Sequence, residues 1–345
     1  MKGKILLVGD IHFSQYASIL RKQGKIYSQR LETLINCLNW VENLGKEKQV
    51  DKIIYLGDFF DKSILNDMEI TALGEIKWAE GIEHLFLVGN HESSYGNLKF
   101  NTTNILNQFG KVIFEPTNII LNNTTIHFLP YISDEDKTLS KYININTSTN
   151  NVILSHNDLK GVNYGKYISE NGFDVEEIND NCNLFINGHL HNGGWVDNKI
   201  INIGNLCGQG FGEDAKKYKH NVILLDIDSL KLELIENPYA YNFYHIQVND
   251  INYLDKLKSY NNGVFNIICN YNLVEDIKNK LEELNIYNYK LTIHKETDTE
   301  VLDNTKLINI TTDYKVILKE FLQKNLENDD ISKIEIERIC NNNEY

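Results

Sequence analysis

Five short polar clusters hold most of the residues with which this sequence could do chemistry. Their side chains offer carboxylate, amide oxygen and imidazole without sulfur, the ligand set that Mn²⁺ and comparable octahedral ions prefer. The clusters are Gly9-Asp10-Ile11-His12, Gly57-Asp58-Phe59-Phe60-Asp61, Gly89-Asn90-His91-Glu92, Ser155-His156 and Gly188-His189-Leu190-His191. Together they predict two divalent metal ions, Mn²⁺ with Mg²⁺ as the alternative, bound by Asp10, His12, Asp58, Asn90, His156, His189 and His191.

Two metal ions with these ligands predict the hydrolysis of a phosphoester. One carboxylate, here that of Asp58, can bridge two ions that lie roughly 3.5–4 Å apart. Such a pair activates water and neutralises the charge of the phosphate oxygens, which suits an in-line displacement at phosphorus. The chain is therefore expected to be a metal-dependent hydrolase that acts on phosphoesters.

Each cluster directly follows a segment that predicts a strand. In open α/β sheets, ligand sites form at the carboxyl ends of the strands. An extended chain also projects residues i and i+2 to the same side. Asp10 with His12, and His189 with His191, can therefore each direct two ligands into one cavity.

Strands and helices alternate in the first part of the chain. Apolar residues at helical spacing from Ser28 to Leu44 predict a helix, and Gly45 is placed to stop it. A second helix is predicted near Asp67–Ala79. Buried strands are predicted at residues 4–9, 52–56 and 84–88. This repetition implies right-handed crossovers and a largely parallel sheet.

The later sequence predicts strand after strand, followed by a change of composition near Pro238. The predicted strands are residues 112–114, 118–121, 124–129, 152–155, 184–187, 199–203, 222–227 and 230–235. The expected fold class is α/β (α+β), with two facing sheets in a sandwich flanked by helices. The expected division is a metal-site domain at 1–238, a small β-α-β capping domain at 239–295, an acidic linker at 296–304 and a pair of amphipathic helices within 305–345.

Composition and charge exclude several classes of protein. Among the 345 residues, 42% are hydrophobic, and no apolar run reaches the roughly 18 residues that a membrane span needs. The five cysteines form no C-x-x-C pair, which excludes a disulfide framework and a thiolate zinc site. Because the first strand leaves no room for a signal peptide, a cytoplasmic location is expected.

The net charge of −14 argues against broad nonspecific binding to nucleic acid. Two divalent ions would nevertheless add about four positive charges where a phosphate must lie.

The ordered set D-x-H, G-D-x-x-D, G-N-H-E, S-H and G-H-x-H resembles the calcineurin-like metallophosphoesterase superfamily. The resemblance implies a two-sheet sandwich flanked by helices, with two metal sites that share one carboxylate. The implied ligands are Asp10, His12, Asp58 and His191 for one ion, and Asp58, Asn90, His156 and His189 for the other. His91 would be the catalytic residue outside both ligand sets, stabilising or protonating the leaving oxygen, and Glu92 would orient it.

Within this superfamily, the layout is similar to the SbcD and Mre-type DNA repair nucleases, including the recombination nucleases of tailed phages. G-D-F-F-D as the second motif, a β-α-β unit after the core and a terminal helical pair carry the resemblance. It implies a Mn²⁺-dependent exonuclease and endonuclease subunit that hydrolyses DNA phosphodiester bonds in a recombination and repair complex. Residues 1–238 would be the nuclease domain, residues 239–295 would contact DNA, and residues 305–345 would bind an SbcC-like SMC-type ATPase. A phage-encoded member would act in the host cytoplasm.

Other interpretations stay open. A stand-alone metallophosphoesterase acting on nucleotides or small phosphoesters is the alternative, and a non-catalytic scaffold for the ATPase is a third hypothesis. A protein Ser/Thr phosphatase is disfavoured, because Asp61 is followed by Lys62-Ser63 instead of the Arg-Gly of those enzymes.

Two departures from the nuclease pattern are Glu92, where aspartate is more usual, and Gly204-Asn205, where Gly-Ser or Gly-Thr is common. Asp61 either belongs to the metal motif or caps the next segment, and a homodimer is compatible with all of these interpretations.

Overall fold

A computed structural model of the chain describes residues 3–16, 26–94, 97–162 and 168–294. The first elements are β1 (Lys4–Val8), α1 (Gln29–Lys48), β2 (Lys52–Leu56), α2 (Asp67–Leu73), β3 (Glu83–Leu87), β4 (Ser93–Ser94), β5 (Asn97–Asn101), β6 (Lys111–Ile113), β7 (Thr117–Leu121), β8 (Thr124–Leu129) and β9 (Asn150–Ser155). The later elements are α3 (Val175–Asn181), β10 (Leu184–Asn187), β11 (Gly194–Asp197), β12 (Ile200–Asn202), β13 (Asn221–Asp226), β14 (Lys231–Glu236), β15 (Asn242–Val248), β16 (Gly263–Asn270), α4 (Val274–Glu283) and β17 (Tyr289–His294).

Two six-stranded sheets form the body of the fold, as the predicted mixed α/β class requires. The first sheet has the strand order β14-β13-β1-β2-β3-β6, and the second has the order β11-β12-β10-β9-β8-β7. Strands β1, β2, β3 and β6 run parallel, and so do β8, β9, β10 and β12. The carboxyl ends of the parallel strands in each sheet therefore lie along one edge of that sheet, where loops can carry functional residues.

The two sheets pack face to face through an apolar core. Alternate residues of β1 and β2, such as Ile5 and Ile54, pack against the second sheet, where Phe128 and Leu154 are also fully buried. The other face of β1 carries Leu6, which belongs to a separate cluster covered by α1. Because both faces of these strands are buried, their sequences read as continuous apolar runs.

Helix α1 extends beyond the residue at which its end was predicted. Gly45 does not stop the helix, which continues to Lys48 and ends with Gln49 in the left-handed conformation, φ 53°. A Cβ at Gly45 would lie 2.8 Å from Cδ1 of Ile53 on β2, so glycine lets the helix pack closely on the sheet without displacing this side chain. Ser28 caps the other end of the helix by accepting a hydrogen bond from the backbone N–H of Leu31.

Helix α2 is shorter than predicted. It ends at Leu73, with Gly74 as the C-cap residue, and does not reach Ala79. At its start, Asn66 and Glu69 form a capping box, in which each side chain accepts a hydrogen bond from the other residue's backbone. The prediction was too long because apolar residues continue after Gly74. These residues are buried in the loop, and an apolar pattern alone does not distinguish a buried loop from a helix.

A third, parallel sheet of the order β15-β16-β17 follows the sandwich, with α4 between its last two strands. Ile277 and Leu281 of α4 are buried against this sheet together with Leu284. These elements occupy residues 242–294, where the sequence predicted a β-α-β unit. The domain boundary at residue 238 stays a prediction, and the predicted linker at 296–304 and the helices within 305–345 lie outside the described residues.

In the described part of the chain, every helix is too short or too polar to span a membrane.

Candidate metal centre

The seven predicted ligands lie together at one end of the sandwich, just beyond the carboxyl ends of five strands. The first sheet contributes Asp10 and His12 after β1, Asp58 after β2 and Asn90 after β3. The second sheet contributes His156 after β9, and His189 and His191 after β10. Each sheet therefore supplies part of the ligand set, and the site exists only where the two sheets meet.

Asp10, His12 and His191 form the first group, with ligand atoms within 4.8 Å of one another. Nε2 of His12 lies 3.1 Å from Nε2 of His191, and Oδ2 of Asp10 lies 3.9 Å from each. Nδ1 of His12 faces Oδ1 of Asp61 at 3.1 Å, so this ring donates from Nδ1 and presents a lone pair at Nε2. Nδ1 of His191 likewise faces Oε1 of Glu213 at 3.5 Å.

The first group fits a cation. Oδ2 of Asp10 is buried and has no hydrogen-bond partner among the described residues. Three electron-pair donors thus converge on one point, and a buried acceptor without a partner is costly. A bound metal ion would satisfy all three donors at once, with the Nδ1 partners of the histidines fixing the ring orientations.

Asp58, His156 and His189 form the second group, again with ligand atoms within 4.8 Å of one another. Nδ1 of His156 donates to the carbonyl oxygen of Leu56 at 2.6 Å. Nε2 of His156 then faces two acceptors at 3.2 Å, Oδ2 of Asp58 and Oδ1 of Asn90. His156 Nε2, Asp58 Oδ2 and Asn90 Oδ1 can all offer electron pairs, so a proton or a metal ion must lie between them. This group also fits a cation.

Asp58 lies between the two groups. Its Oδ2 is 3.8 Å from Nε2 of His12 and 3.2 Å from Nε2 of His156. Its Oδ1 accepts a hydrogen bond from the backbone N–H of His91 at 3.0 Å. A Cβ at Gly89 would lie only 2.1 Å from this Oδ1, so the glycine of G-N-H-E makes room for the carboxylate. The position is the one that a bridging ligand requires.

Several ligands have backbone conformations that L-residues rarely adopt. His12, Asp58 and His189 have φ values of 49°, 45° and 71°. Each such residue costs of order 1–3 kcal/mol and persists only where its surroundings enforce it. Here the N–H of His12 donates to the carbonyl oxygen of Asp58 at 2.9 Å, and the N–H of His189 donates to Oδ1 of Asp10 at 2.9 Å. The predicted ligands thus hold one another in place through these hydrogen bonds.

The charges of the site favour cations strongly. Burial alone would lower the pKa of His156, but the carboxylates of Asp58 and Asp10 raise it to about 10. Burial would raise the pKa of Asp58, but His156 and His12 hold it well below its ordinary value. Metal binding would therefore displace protons from the site.

His91 lies beside the first group with its side chain 42% exposed. Its Nδ1 donates to the carbonyl oxygen of Asp61 at 3.0 Å, and its ring makes an edge contact with the ring of His12, with 4.7 Å between centroids. This hydrogen bond leaves Nε2 as the nitrogen available to a substrate. His91, His12 and Asp58 also place ligand atoms within 4.8 Å of one another, so geometry permits His91 to act either beside the ions or on one of them.

Glu92 does not have the role that the family resemblance implied. Its carboxylate is fully buried and accepts hydrogen bonds from the backbone N–H of Phe60 at 3.1 Å and of Gly89 at 2.7 Å. It therefore joins the turns after β2 and β3 and makes no hydrogen bond to His91, which is oriented by Asp61. Burial, together with the charge of Asp58, raises the pKa of Glu92 to about 7.

Asp61 belongs to the site and does not cap the next helix. Its Oδ1 accepts from Nδ1 of His12, and its carbonyl oxygen accepts from Nδ1 of His91. The N-cap of the following helix is Asn66. Asp61 is thus a positioning residue for two histidines at once.

Two carboxylates of the site carry no clear signal in the sequence. Oδ1 of Asp158 lies 3.2 Å from Nε2 of His189, and Oε1 of Glu213 faces His191. Asp158 stands two residues after His156, which is a weak local signal, whereas Glu213 comes from a loop with no motif. Carboxylates behind metal-ligating histidines fix the tautomer and raise the basicity of the ligand.

Four further histidines lie outside the predicted ligand set. Their side chains are buried or half-buried, and each makes a hydrogen bond to a residue that is not a predicted ligand. The pairs are His84 with Glu42, His127 with Asn151, His220 with Asn205 and His245 with the carbonyl oxygen of Phe211.

Fold and site together define a metal-dependent phosphoesterase in which two divalent ions are implied. When bound, the ions neutralise phosphate charge and activate water. Residues of the chain orient the histidines of the site: Asp61, Glu213, Asp158 and the carbonyl oxygen of Leu56 each contact one ring nitrogen of a predicted ligand. The half-exposed ring of His91 lies beside them.

The chain belongs to the calcineurin-like phosphoesterase family, whose model matches residues 3–193. Among solved structures it is similar to a protein of Thermus thermophilus, with TM-score 0.39 and 11% identity over 68% of this chain and 99% of that one. It is also similar to a dimetal phosphatase from Danio rerio, with TM-score 0.37 and 12% identity over 68% of this chain and 98% of that one. A metallophosphoesterase from Sphaerobacter thermophilus is similar with TM-score 0.28 and 13% identity over 68% of this chain and 88% of that one. No curated protein matches the sequence significantly.

Proposed function

We propose that this chain is a Mn²⁺-dependent DNA nuclease of the SbcD and Mre type, which hydrolyses phosphodiester bonds as a subunit of a recombination and repair complex. The proposed ligands are Asp10, His12, Asp58 and His191 for one ion and Asp58, Asn90, His156 and His189 for the other. His91 is the proposed catalytic residue. It would stabilise or protonate the leaving 3′ or 5′ oxygen of the strand.

One observation carries the choice of a polymeric substrate, namely the third sheet beside the metal centre. Its first strand, β15, bonds to the loop that contains Glu213. The N–H of Ala215 donates to the carbonyl oxygen of Phe243 at 2.9 Å, and Nε2 of His245 faces the carbonyl oxygen of Phe211 at 2.9 Å. An enzyme for small phosphoesters needs no additional layer here, whereas a nuclease needs surface beyond the scissile phosphate.

The charge of the chain supports a role for the ions in substrate binding. With a net charge of −14, the protein would repel DNA over much of its surface. Two divalent ions contribute about four positive charges at one place. DNA would therefore be attracted to the metal centre itself, and we expect binding to weaken when the ions are removed.

Cleavage assays on linear duplex DNA and on single-stranded DNA with Mn²⁺ test the proposal. We expect the wild-type chain to degrade both substrates, because the ions act on the phosphodiester and not on the bases. His91→Ala, purified identically, controls for contaminating nucleases and is expected to be inactive on both. Absence of DNA cleavage together with rapid hydrolysis of bis(p-nitrophenyl) phosphate would instead support the stand-alone phosphoesterase.

We further propose that residues 305–345 bind an SbcC-like SMC-type ATPase. The support comes from the sequence alone, in which apolar residues such as Ile317, Phe321 and Ile334 recur at helical spacing. A pull-down of the ATPase is expected to succeed with the full chain and to fail with a chain that ends at residue 304. Equal recovery by both chains would refute this proposal without affecting the nuclease assignment.

A further inference from the structure

A cavity of about 960 Å³ opens directly beside the metal centre. Its lining includes His189 and His191, and it extends from them along β11 to the loop at residues 209–213. Sites for small molecules and cofactors typically measure about 300–1,000 Å³. The cavity is thus much larger than one phosphate group needs, and it can receive a neighbouring part of the substrate.

One wall of the cavity carries an exposed aromatic ring. Trp195, the second residue of the edge strand β11, is 55% exposed and lines the cavity. A tryptophan is usually mostly buried, so an indole exposed to this degree next to a catalytic centre suggests a binding surface. Every nucleobase has a flat π face, and stacking on an aromatic side chain does not depend on the base sequence.

Several residues that line the rest of the cavity are glycines. Gly161, Gly194, Gly210 and Gly212 all line the cavity, and a Cβ at any of them would meet no atom of the described residues within 4 Å. The backbone favours glycine at Gly161 and Gly194, whose φ values are 76° and 159°. At Gly210 and Gly212 neither packing nor a left-handed backbone requires glycine, and its small size there leaves the cavity wide.

Polar groups in the walls match the remaining parts of a nucleotide. Lys160 is an exposed cation in the lining, which suits a backbone phosphate next to the scissile one. Oδ1 of Asn192 and Nε2 of Gln209 have no hydrogen-bond partner among the described residues. They are one acceptor and one donor, and the edge of a nucleobase offers both kinds of partner.

We propose that this cavity binds one nucleobase of the strand being cleaved, stacked on the indole of Trp195 while the adjoining phosphodiester lies at the metal centre. The inference rests on the proposed nuclease function and adds a substrate-binding residue to it. It also assigns a path to the strand, which runs from the histidines of the G-H-x-H cluster along β11.

The test measures cleavage of a single-stranded oligonucleotide with Mn²⁺, together with inhibition by an abasic oligonucleotide of the same length. For Trp195→Ala we expect KM for the normal oligonucleotide to rise about tenfold, because stacking on the indole is lost. The inhibition constant of the abasic oligonucleotide should change less than twofold. Trp195→Phe, which keeps an aromatic face, should give an intermediate KM.

Two further variants separate stacking from disturbance of the fold. Gly210→Leu leaves Trp195 in place but fills the cavity, and should also raise KM for the normal oligonucleotide only. Tyr271→Ala removes a 79% exposed ring that does not line the cavity and should change neither constant. Turnover of bis(p-nitrophenyl) phosphate by each variant shows whether its metal centre is intact.

Three results would overturn the inference. An unchanged KM in Trp195→Ala, or an equal loss for the normal and abasic oligonucleotides, would exclude base stacking while the nuclease function stands. Failure of the wild-type chain to cleave either oligonucleotide, with normal turnover of bis(p-nitrophenyl) phosphate, would refute the nuclease proposal and the base site with it.

Discussion

Replacement of Asp58 by asparagine should lower kcat for bis(p-nitrophenyl) phosphate by about 10³-fold. The carboxylate lies 3.8 Å from Nε2 of His12 and 3.2 Å from Nε2 of His156, so it faces both ligand groups. The amide removes one negative charge from each proposed ion site. The loss corresponds to roughly 4 kcal/mol of transition-state stabilisation, within the several kcal/mol that bound metals supply.

The metal content of Asp58→Asn distinguishes a lost ligand from a lost fold. Asparagine tolerates the left-handed backbone at this position better than most residues, so the turn should persist. We expect mass spectrometry of the purified protein to find fewer than two ions per chain, with an unchanged circular dichroism spectrum. Asp134→Asn, at an exposed carboxylate away from the ligands, is the matched control. Two retained ions and normal kcat would exclude Asp58 as the bridge.

Replacement of His91 by alanine should lower kcat by about 10²–10⁴-fold, the usual contribution of a general acid or base. Its Nδ1 is committed to the carbonyl oxygen of Asp61, which leaves Nε2 for the leaving oxygen. His91→Gln keeps an amide donor but cannot transfer a proton, so we expect it to be nearly as inactive as His91→Ala. KM should change little in either variant, because the ions still bind the phosphate.

The number of bound ions decides between the two roles that geometry allows His91. As a catalytic residue outside the ligand sets, its removal should leave two ions per chain. Loss of one ion in His91→Ala would instead make His91 a metal ligand and would require a different proton donor.

The residues just after the strands were predictable because local pattern and position agree. A buried strand is recognisable from its apolar run, and the residues directly after it must lie at the edge of the sheet. The clusters after β1, β2, β3, β9 and β10 can therefore be placed near one another from the sequence alone. Each cluster combines a strand that the apolar pattern predicts with side chains that can bind a metal ion.

Residues whose roles depend on contacts distant in sequence were not predictable. Glu213 approaches His191 from a loop, and nothing in the neighbouring sequence indicates this. Glu92 stands next to His91 in the chain, yet its side chain turns to the backbone of Phe60 and Gly89. Gly45 had the residue type of a helix end, but its role is to let α1 approach Ile53. In each case tertiary packing overrides the local pattern.

The division of the ligands between two sheets has a consequence for the folding of the protein. The hydrogen bond from the N–H of His189 to Oδ1 of Asp10 joins residues 179 positions apart, and each proposed ion has ligands from both sheets. The site thus closes a very long loop and acts as a non-covalent cross-link between the two sheets. Because the sheets cannot separate unless these contacts break, the residues proposed for catalysis would also lower the rate of unfolding.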